Sequence, residues 1–138
     1  MKKLLLLLLL LILLVGAFLF FRGNRPNGTP ATVWEQPTEL KVEAAQLYAD
    51  FVQDETGANE KYLNKITEVT GVVSTVQTGQ GSTSVLLRTD DPAHGVHCRF
   101  DQKPGRNVKK YERGQNVRLK CLCSGYVQDV EMVQCVER

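Results

Sequence analysis

The longest apolar run in the chain lies at its N-terminus and sets this segment apart from the rest. Leu4–Phe21 holds 18 residues without a charged or polar side chain, directly after Lys2 and Lys3. As a helix rising ~1.5 Å per residue, the run would extend about 27 Å, close to the thickness of a bilayer's hydrocarbon core. The pattern predicts a membrane-spanning helix within residues 1–22.

Two fates of this leader fit its pattern. Val15 and Ala17 are placed like the residues that precede a signal-peptidase cut. Cleavage there would leave an apolar start at Phe18–Phe21, and the run is longer than a usual signal-peptide core. We therefore favour an uncleaved signal anchor, which gives a single-pass protein of the cell membrane with its C-terminal domain exported to the periplasm or the outside. A secreted protein released by cleavage is the alternative.

Beyond the leader the pattern changes twice. Residues 23–40 are rich in Pro, Gly, Asn and Thr and are typical of a linker, so the folded domain is expected at residues 41–138. Val42–Asp54 carries apolar side chains at helical spacing, which predicts an amphipathic helix. These side chains are Ala44, Leu47, Tyr48, Phe51 and Val52. A second helical turn is expected at Ala58–Tyr62.

After Lys65 the sequence consists of β-branched segments separated by turn-forming clusters, which is typical of short strands. Five strands are expected, near residues 66–76, 82–89, 95–100, 116–125 and 129–137. An open five-stranded sheet covered by one helix would leave its edges unpaired, so the strands are expected to close on themselves. The predicted class is α+β, mostly β, with the amphipathic helix before the strands.

The motifs of this domain resemble those of one family. The segment YADFVQDETGANEKYLNKITEVTGVV is similar to the opening of the tRNA-anti-like family of bacterial OB-fold lipoproteins, where an acidic pair leads through A-N-x-K-Y-x-x-K into a strand ending V-x-G-x-V. The segments GVHCRF, YERGQNVRLKCLCSGY and DVEMVQC resemble the later part of the pattern, so the resemblance covers about Val42–Cys135. The matching positions of the opening are Asp54, Glu55, Ala58, Asn59, Lys61, Tyr62, Lys65, Val69, Gly71 and Val73.

This resemblance implies a five-stranded OB-fold barrel and almost no chemistry. The leader departs from the family pattern. Family members described as lipoproteins carry a lipidated Cys directly after the leader, whereas the first cysteine here is Cys98. A peptide or signal anchor must then replace the lipid.

The four cysteines are candidates for a disulfide, because an exported domain meets oxidising conditions. Alternation places Cys98, Cys121 and Cys123 on the core-facing sides of their strands. Neighbours at i and i+2 on a strand are ~7 Å apart at Cα, which disfavours a bond between Cys121 and Cys123. In the implied barrel the last strand lies beside both the third and the fourth, so we expect Cys123 to pair with Cys135, ahead of Cys98 with Cys135. Buried reduced thiols are the alternative.

No catalytic set emerges from the sequence, and we expect a non-enzymatic protein without a cofactor. His94, His97 and Cys98 are metal-binding residue types, but the side chains of residues 97 and 98 would point to opposite faces of a strand, so no metal site is expected. Cys121-x-Cys123 lacks the two-residue spacing of reactive dithiols. The two histidines and the glycines provide no Ser-His-Asp triad and no phosphate-binding loop.

Charge is uneven along the chain. After Arg22 there are 14 basic and 15 acidic residues, which argues against a uniformly basic nucleic-acid binder. Residues 99–120, however, contain eight basic and two acidic side chains. Here we expect an exposed, mobile loop that contacts an anionic partner, or else a solvated loop that pairs with the acidic region Glu35–Glu60. The candidate ligand-binding residues of the loop are Lys103, Arg106, Lys109, Lys110 and Arg113.

Three function classes follow from these features, and the least favoured of them is an enzyme or thiol-redox protein, because no catalytic set is present. The first is a membrane-tethered OB module that binds an unknown protein or an anionic envelope ligand. The second is nucleic-acid binding through the basic 99–120 stretch, although Ser82–Arg88 has no aromatic side chain for base stacking. Two or more exposed aromatics on an open face would favour nucleic acid, and a face without them would favour a protein contact.

Overall fold

The computed structural model describes residues 11, 13–16, 32–33, 35–79, 82–101 and 110–138. The chain divides into two compact units, Met1–Pro30 and Ala31–Arg138. In the first unit, residues 11 and 13–16 are helical, and the rest of the predicted span lies outside the described residues. Among the described residues, no helix is both long enough and apolar enough to cross a membrane.

The second unit is a small barrel preceded by a short strand and two helices. The strands β2, β3, β4, β6 and β5 lie side by side in that order, and β2 also pairs with β5, which closes the barrel. Within these five strands, every neighbouring pair is antiparallel except β4 and β6. The five predicted strands and the OB-type closure are thus confirmed. In chain order the elements are β1 (Leu40–Glu43), α1 (Ala44–Gln53), α2 (Glu55–Tyr62), β2 (Ile66–Gly79), β3 (Ser82–Leu87), β4 (Val96–Asp101), β5 (Asn116–Tyr126) and β6 (Val130–Glu137).

The sixth strand, β1, corrects the predicted start of the helix. Val42 lies two residues before the apolar helical spacing that begins at Ala44, and in the structure it pairs with Val69 in a parallel ladder between β1 and β2. Strand β3 pairs only with residues 73–79 of β2, so β1 covers an edge of β2 that would otherwise lack a partner. Helix α1 therefore begins at Ala44 rather than at Val42.

Helix α1 buries the predicted apolar face, with one exception. Leu47 and Phe51 are almost fully buried, whereas Val52 is 55% exposed. The Phe51 ring centroid lies 5.7 Å from that of Tyr126 on β5 and 6.0 Å from that of Tyr62 on α2. Phe51 therefore joins both helices to the barrel through one aromatic cluster.

The interior of the barrel follows the alternation that the sequence predicts. Val117, Leu119, Cys121 and Cys123 are all buried, while Arg118 is exposed. Lys120 alternates with these residues but is buried too, because its Nζ donates a hydrogen bond to the carbonyl oxygen of Gln36. The segment before β1 thus covers part of the polar face of β5.

Two buried tyrosines make the stability of this unit sensitive to alkaline pH. Burial raises the pKa of Tyr48 to about 12, supported by the hydrogen bond from its hydroxyl to Asp91 at 3.2 Å, and burial also raises the pKa of Tyr111 to about 12. In an unfolded chain the pKa of tyrosine is about 10. The neutral phenols therefore favour the folded state below about pH 10, and this contribution is lost as the pH rises towards about 12.

We expect the melting temperature to fall across this alkaline window, and an ultraviolet titration of phenolate to show a late-titrating class of tyrosines. Tyr48→Phe and Tyr111→Phe should each remove one group from that class. Ionisation of every tyrosine near its ordinary pKa in the folded protein would show that these side chains are not buried as described.

Candidate functional site

A cavity of about 290 Å³ opens on the outer surface of the barrel. It is lined by residues of β2, β3, β4 and β6 and of the turn that joins β5 to β6. Five of the six lining side chains offer hydrogen-bonding groups, and two of them are carboxylates. We call this surface the β3–β4 face, and its lining residues are Gln77, Ser84, Leu86, His97, Asp129 and Glu131.

Strand register brings these side chains together from distant parts of the sequence. Ser84 pairs with Gln77 across β2 and β3, and Leu86 pairs with His97 across β3 and β4. His97 in turn pairs with Glu131 in the parallel ladder of β4 and β6. Because side chains alternate along a strand, all five share the outer face while their sequence neighbours on β3 and β4 are buried.

Two histidine–carboxylate pairs border the cavity. His97 Nδ1 lies 3.1 Å from Glu131 Oε2, and His94 Nδ1 lies 3.6 Å from Asp129 Oδ1. The same Asp129 oxygen accepts a hydrogen bond of 2.7 Å from the amide of Gly95. A Cβ at Gly95 would lie 2.2 Å from the carbonyl oxygen of Leu87, so only glycine allows this close approach. The backbone thus fixes Asp129 at the rim.

The chemistry of the β3–β4 face is polar and carries no aromatic side chain among the described residues. Phe100, the only aromatic residue on β3 or β4, is 6% exposed and stacks inside the barrel on Tyr111, with 4.9 Å between ring centroids. Arg99 is an exposed cation of β4 and pairs in register with Ser84. The face can therefore accept and donate hydrogen bonds and carries charged groups of both signs, but its described part offers no stacking platform.

The predicted basic loop is only partly described. Lys103, Arg106 and Lys109 lie outside the described residues, while Lys110 and Arg113 are exposed just before β5. Neither Lys110 nor Arg113 lines the cavity of the β3–β4 face. The prediction that the five cations form one ligand-binding loop stays a prediction.

The disulfide differs from the predicted pairing of Cys123 with Cys135. The structure joins Cys121 to Cys135, with their Cα atoms 4.2 Å apart, and leaves Cys123 as a buried thiol. The cause is a register shift between β5 and β6, where Gln134 takes a positive φ of 54°. This bulge places Cys135 against Cys121, while Cys123 pairs with Met132.

The histidines and the cysteines do not form a common metal site. His97 faces outwards and Cys98 is fully buried, as strand alternation predicts. Within the described part of the chain, the one group of three metal-binding side chains is formed by Cys98, Cys121 and Cys135, whose sulfur atoms all lie within 4.8 Å of one another. Since the last two are bonded to each other, this group offers a single thiol.

Sequence reasoning missed most residues of the β3–β4 face. Asp129 and Glu131 reach it only through the parallel pairing of β4 with β6, which no local pattern reveals. The available signal was the alternation of β4, which marks His97 as the outward neighbour of a core cysteine.

Together these observations define an OB-fold barrel with a polar cavity on its outer face. The tRNA_anti-like family model matches residues 1–136, and the chain belongs to this family. Among solved structures, the chain is similar to one assigned as an aspartyl-tRNA synthetase from Leishmania major Friedlin, with 10% identity and a TM-score of 0.48. That match covers 80% of this chain and 21% of the other, so the chain spans about a fifth of its length. No protein with a curated description matches the sequence.

Proposed function

We propose that this protein is a non-enzymatic binding module of the cell envelope and that its β3–β4 face binds a protein partner through a positively charged segment. The observation that carries the proposal is the cavity itself. It brings Asp129 and Glu131 together with the hydrogen-bonding side chains of Gln77 and Ser84 on an open surface. Carboxylates of this kind attract Lys and Arg side chains of a partner.

The composition of the face favours a polypeptide over a nucleic acid. Its two carboxylates would repel phosphate groups, and its described part has no exposed aromatic side chain on which a base can stack. A polypeptide needs neither of these features, because its side chains and backbone amides supply the hydrogen-bond donors.

The experiment that tests this proposal measures binding of two fluorescent probes by anisotropy, namely a ten-residue lysine–serine peptide and a 15-nucleotide oligothymidylate. We expect the peptide to bind more tightly at physiological salt. Glu131→Gln should weaken peptide binding about tenfold, since a hydrogen bond to a charged group contributes about 1.5–3 kcal/mol.

Glu112→Gln is the matched control, because Glu112 is an exposed carboxylate that does not line the cavity. Equal losses in the two variants would mean that the peptide responds only to net charge. Tighter binding of the oligonucleotide would contradict the proposal directly.

Nucleic-acid binding remains the second candidate because of a cationic patch around Glu68. Lys41, Arg118 and Arg138 each place a charged nitrogen 3.8–3.9 Å from the buried Glu68 carboxylate, and their own side chains are 53–75% exposed. Three cations around one anion leave a surplus of positive charge on this side of the barrel. If this patch binds a phosphate backbone, oligothymidylate affinity should fall steeply with salt and weaken further in Arg118→Gln.

The anchoring part of the proposal rests on the apolar run Leu4–Phe21. A high-pH wash of the membrane fraction should leave the full-length chain in the pellet and release a variant that lacks residues 1–22. Release of the full-length chain into the supernatant would contradict the anchor.

A further inference from the structure

Three of the four cysteines meet inside the barrel. The Sγ atoms of Cys98, Cys121 and Cys135 lie within 4.8 Å of one another, and none of the three residues is more than 5% exposed. They come from β4, β5 and β6 respectively. The bond between Cys121 and Cys135 leaves the Cys98 thiol directly beside a disulfide. Cys123 is also a buried thiol but does not belong to this group.

A thiol that close to a disulfide is arranged for thiol–disulfide exchange. We propose that the three cysteines form an internal exchange centre, in which Cys98 replaces Cys121 as the partner of Cys135. Cys98 loses its proton and its sulfur attacks the Cys135 sulfur. The Cys98–Cys135 bond forms, the Cys121–Cys135 bond breaks, and Cys121 takes up a proton as a thiol. The number of disulfides is unchanged, so the step needs no oxidant or reductant.

Cys135 is the shared partner because of the strand order. Strand β6 lies between β4 and β5, so Cys135 has Cys98 on one side and Cys121 on the other. Attack on Cys121 instead would link β4 to β5, which are not neighbours in the sheet.

The exchange moves the covalent link to the junction of β4 and β6, which lies beneath the β3–β4 face and which we call the seam. The parallel ladder of β4 and β6 has only three paired positions, residues 96–98 with residues 130–132. That seam carries the His97–Glu131 pair on its outer surface, and His97 is the sequence neighbour of Cys98. A bond between Cys98 and Cys135 would link β4 to β6 beyond the last paired position of their ladder. It would thereby change the position of the His97–Glu131 pair. This inference does not depend on which ligand the face binds.

Burial makes the exchange slow at neutral pH. Only a thiolate attacks a disulfide, and burial, supported by the negative charge of Glu131, raises the pKa of the Cys98 thiol. The bond between Cys121 and Cys135 is therefore kinetically protected in the closed barrel, and alkaline pH or local opening should permit exchange.

Tryptic peptide mapping without reduction tests the inference, because of where the cleavage sites fall. Cys98 lies on the peptide 89–99, whereas the other three cysteines share the peptide 121–138. Cys121→Ala, folded in a glutathione redox buffer that supplies the oxidant, should yield these two peptides joined in most molecules. A second cleavage after Glu131 should assign the bond to Cys135. A Cys98 thiol that is fully alkylated, or a bond through Cys123, would overturn the inference.

A second experiment uses the wild-type protein and so does not depend on a substitution in the core. Held at alkaline pH and quenched with acid, it should accumulate the joined peptides with time, as should Cys123→Ala. Absence of joined peptides in both the wild type and Cys121→Ala would reject the exchange centre. The amide resonance of His97 should move in Cys121→Ala but not in Cys123→Ala. An unmoved resonance in a cross-linked protein would refute the effect on the seam.

Discussion

Replacing Phe51 with alanine is expected to lower the free energy of unfolding of the barrel domain by about 3–5 kcal/mol. Phe51 is 1% exposed and its ring lies against Tyr62 and Tyr126, so truncation leaves a cavity between the helices and the barrel. Domains of this size are stable by only about 5–15 kcal/mol. Guanidinium unfolding followed by tyrosine fluorescence should therefore show a large fall in the midpoint.

The neighbouring residue Val52 provides the control for this prediction. It lies on the same helix but is 55% exposed, so Val52→Ala should change the free energy of unfolding by less than about 0.5 kcal/mol. Similar small effects of both substitutions would mean that α1 does not belong to the cooperative unit of the barrel.

Loss of the disulfide is the second change with a large expected effect. The bond closes a sequence separation of 14 residues between β5 and β6, for which the stabilisation is about 2–4 kcal/mol. The double variant Cys121→Ala with Cys135→Ala should lose this amount of unfolding free energy relative to the oxidised wild type, because it lacks both cysteines of the native bond. Thermal unfolding with and without a reducing agent measures the difference.

The matched control is Cys98→Ala with Cys123→Ala. It also removes two buried sulfur atoms but keeps the native bond, so it separates the loss of the disulfide from the loss of packing. Reducing agent should destabilise the control and leave the first double variant unchanged. If reducing agent has no effect on the control, the bond does not stabilise the native state.

Local patterns predict most of the fold. The apolar spacing of α1 and the alternation along β4 and β5 identify which side chains enter the core, because both follow from backbone geometry alone. Val42 shows the limit of such patterns, since it lies just before the apolar face of α1 and is compatible with the end of a strand or the start of a helix. The free edge of β2, a tertiary feature, decides between them.

The candidate site is less predictable because it depends on register. The bulge near Gln134 makes Cys121, rather than the expected Cys123, the partner of Cys135. No residue type in that segment predicts the bulge. In the same way, Glu131 lies next to His97 because β4 and β6 form a parallel ladder. The two residues are 34 positions apart in the sequence. The basic residues cluster at 99–120 in the sequence, whereas the cavity lies among polar residues of mixed charge.

We propose the β3–β4 face as the ligand site of this protein. Amide chemical shifts during titration with the lysine–serine peptide test it most directly. The predicted result is that the largest shift changes fall on Ser84, Leu86, His97 and Glu131, around the cavity. Changes centred on Lys110 and Arg113, or on the cations around Glu68, would contradict the claim and place the site on a different surface of the barrel.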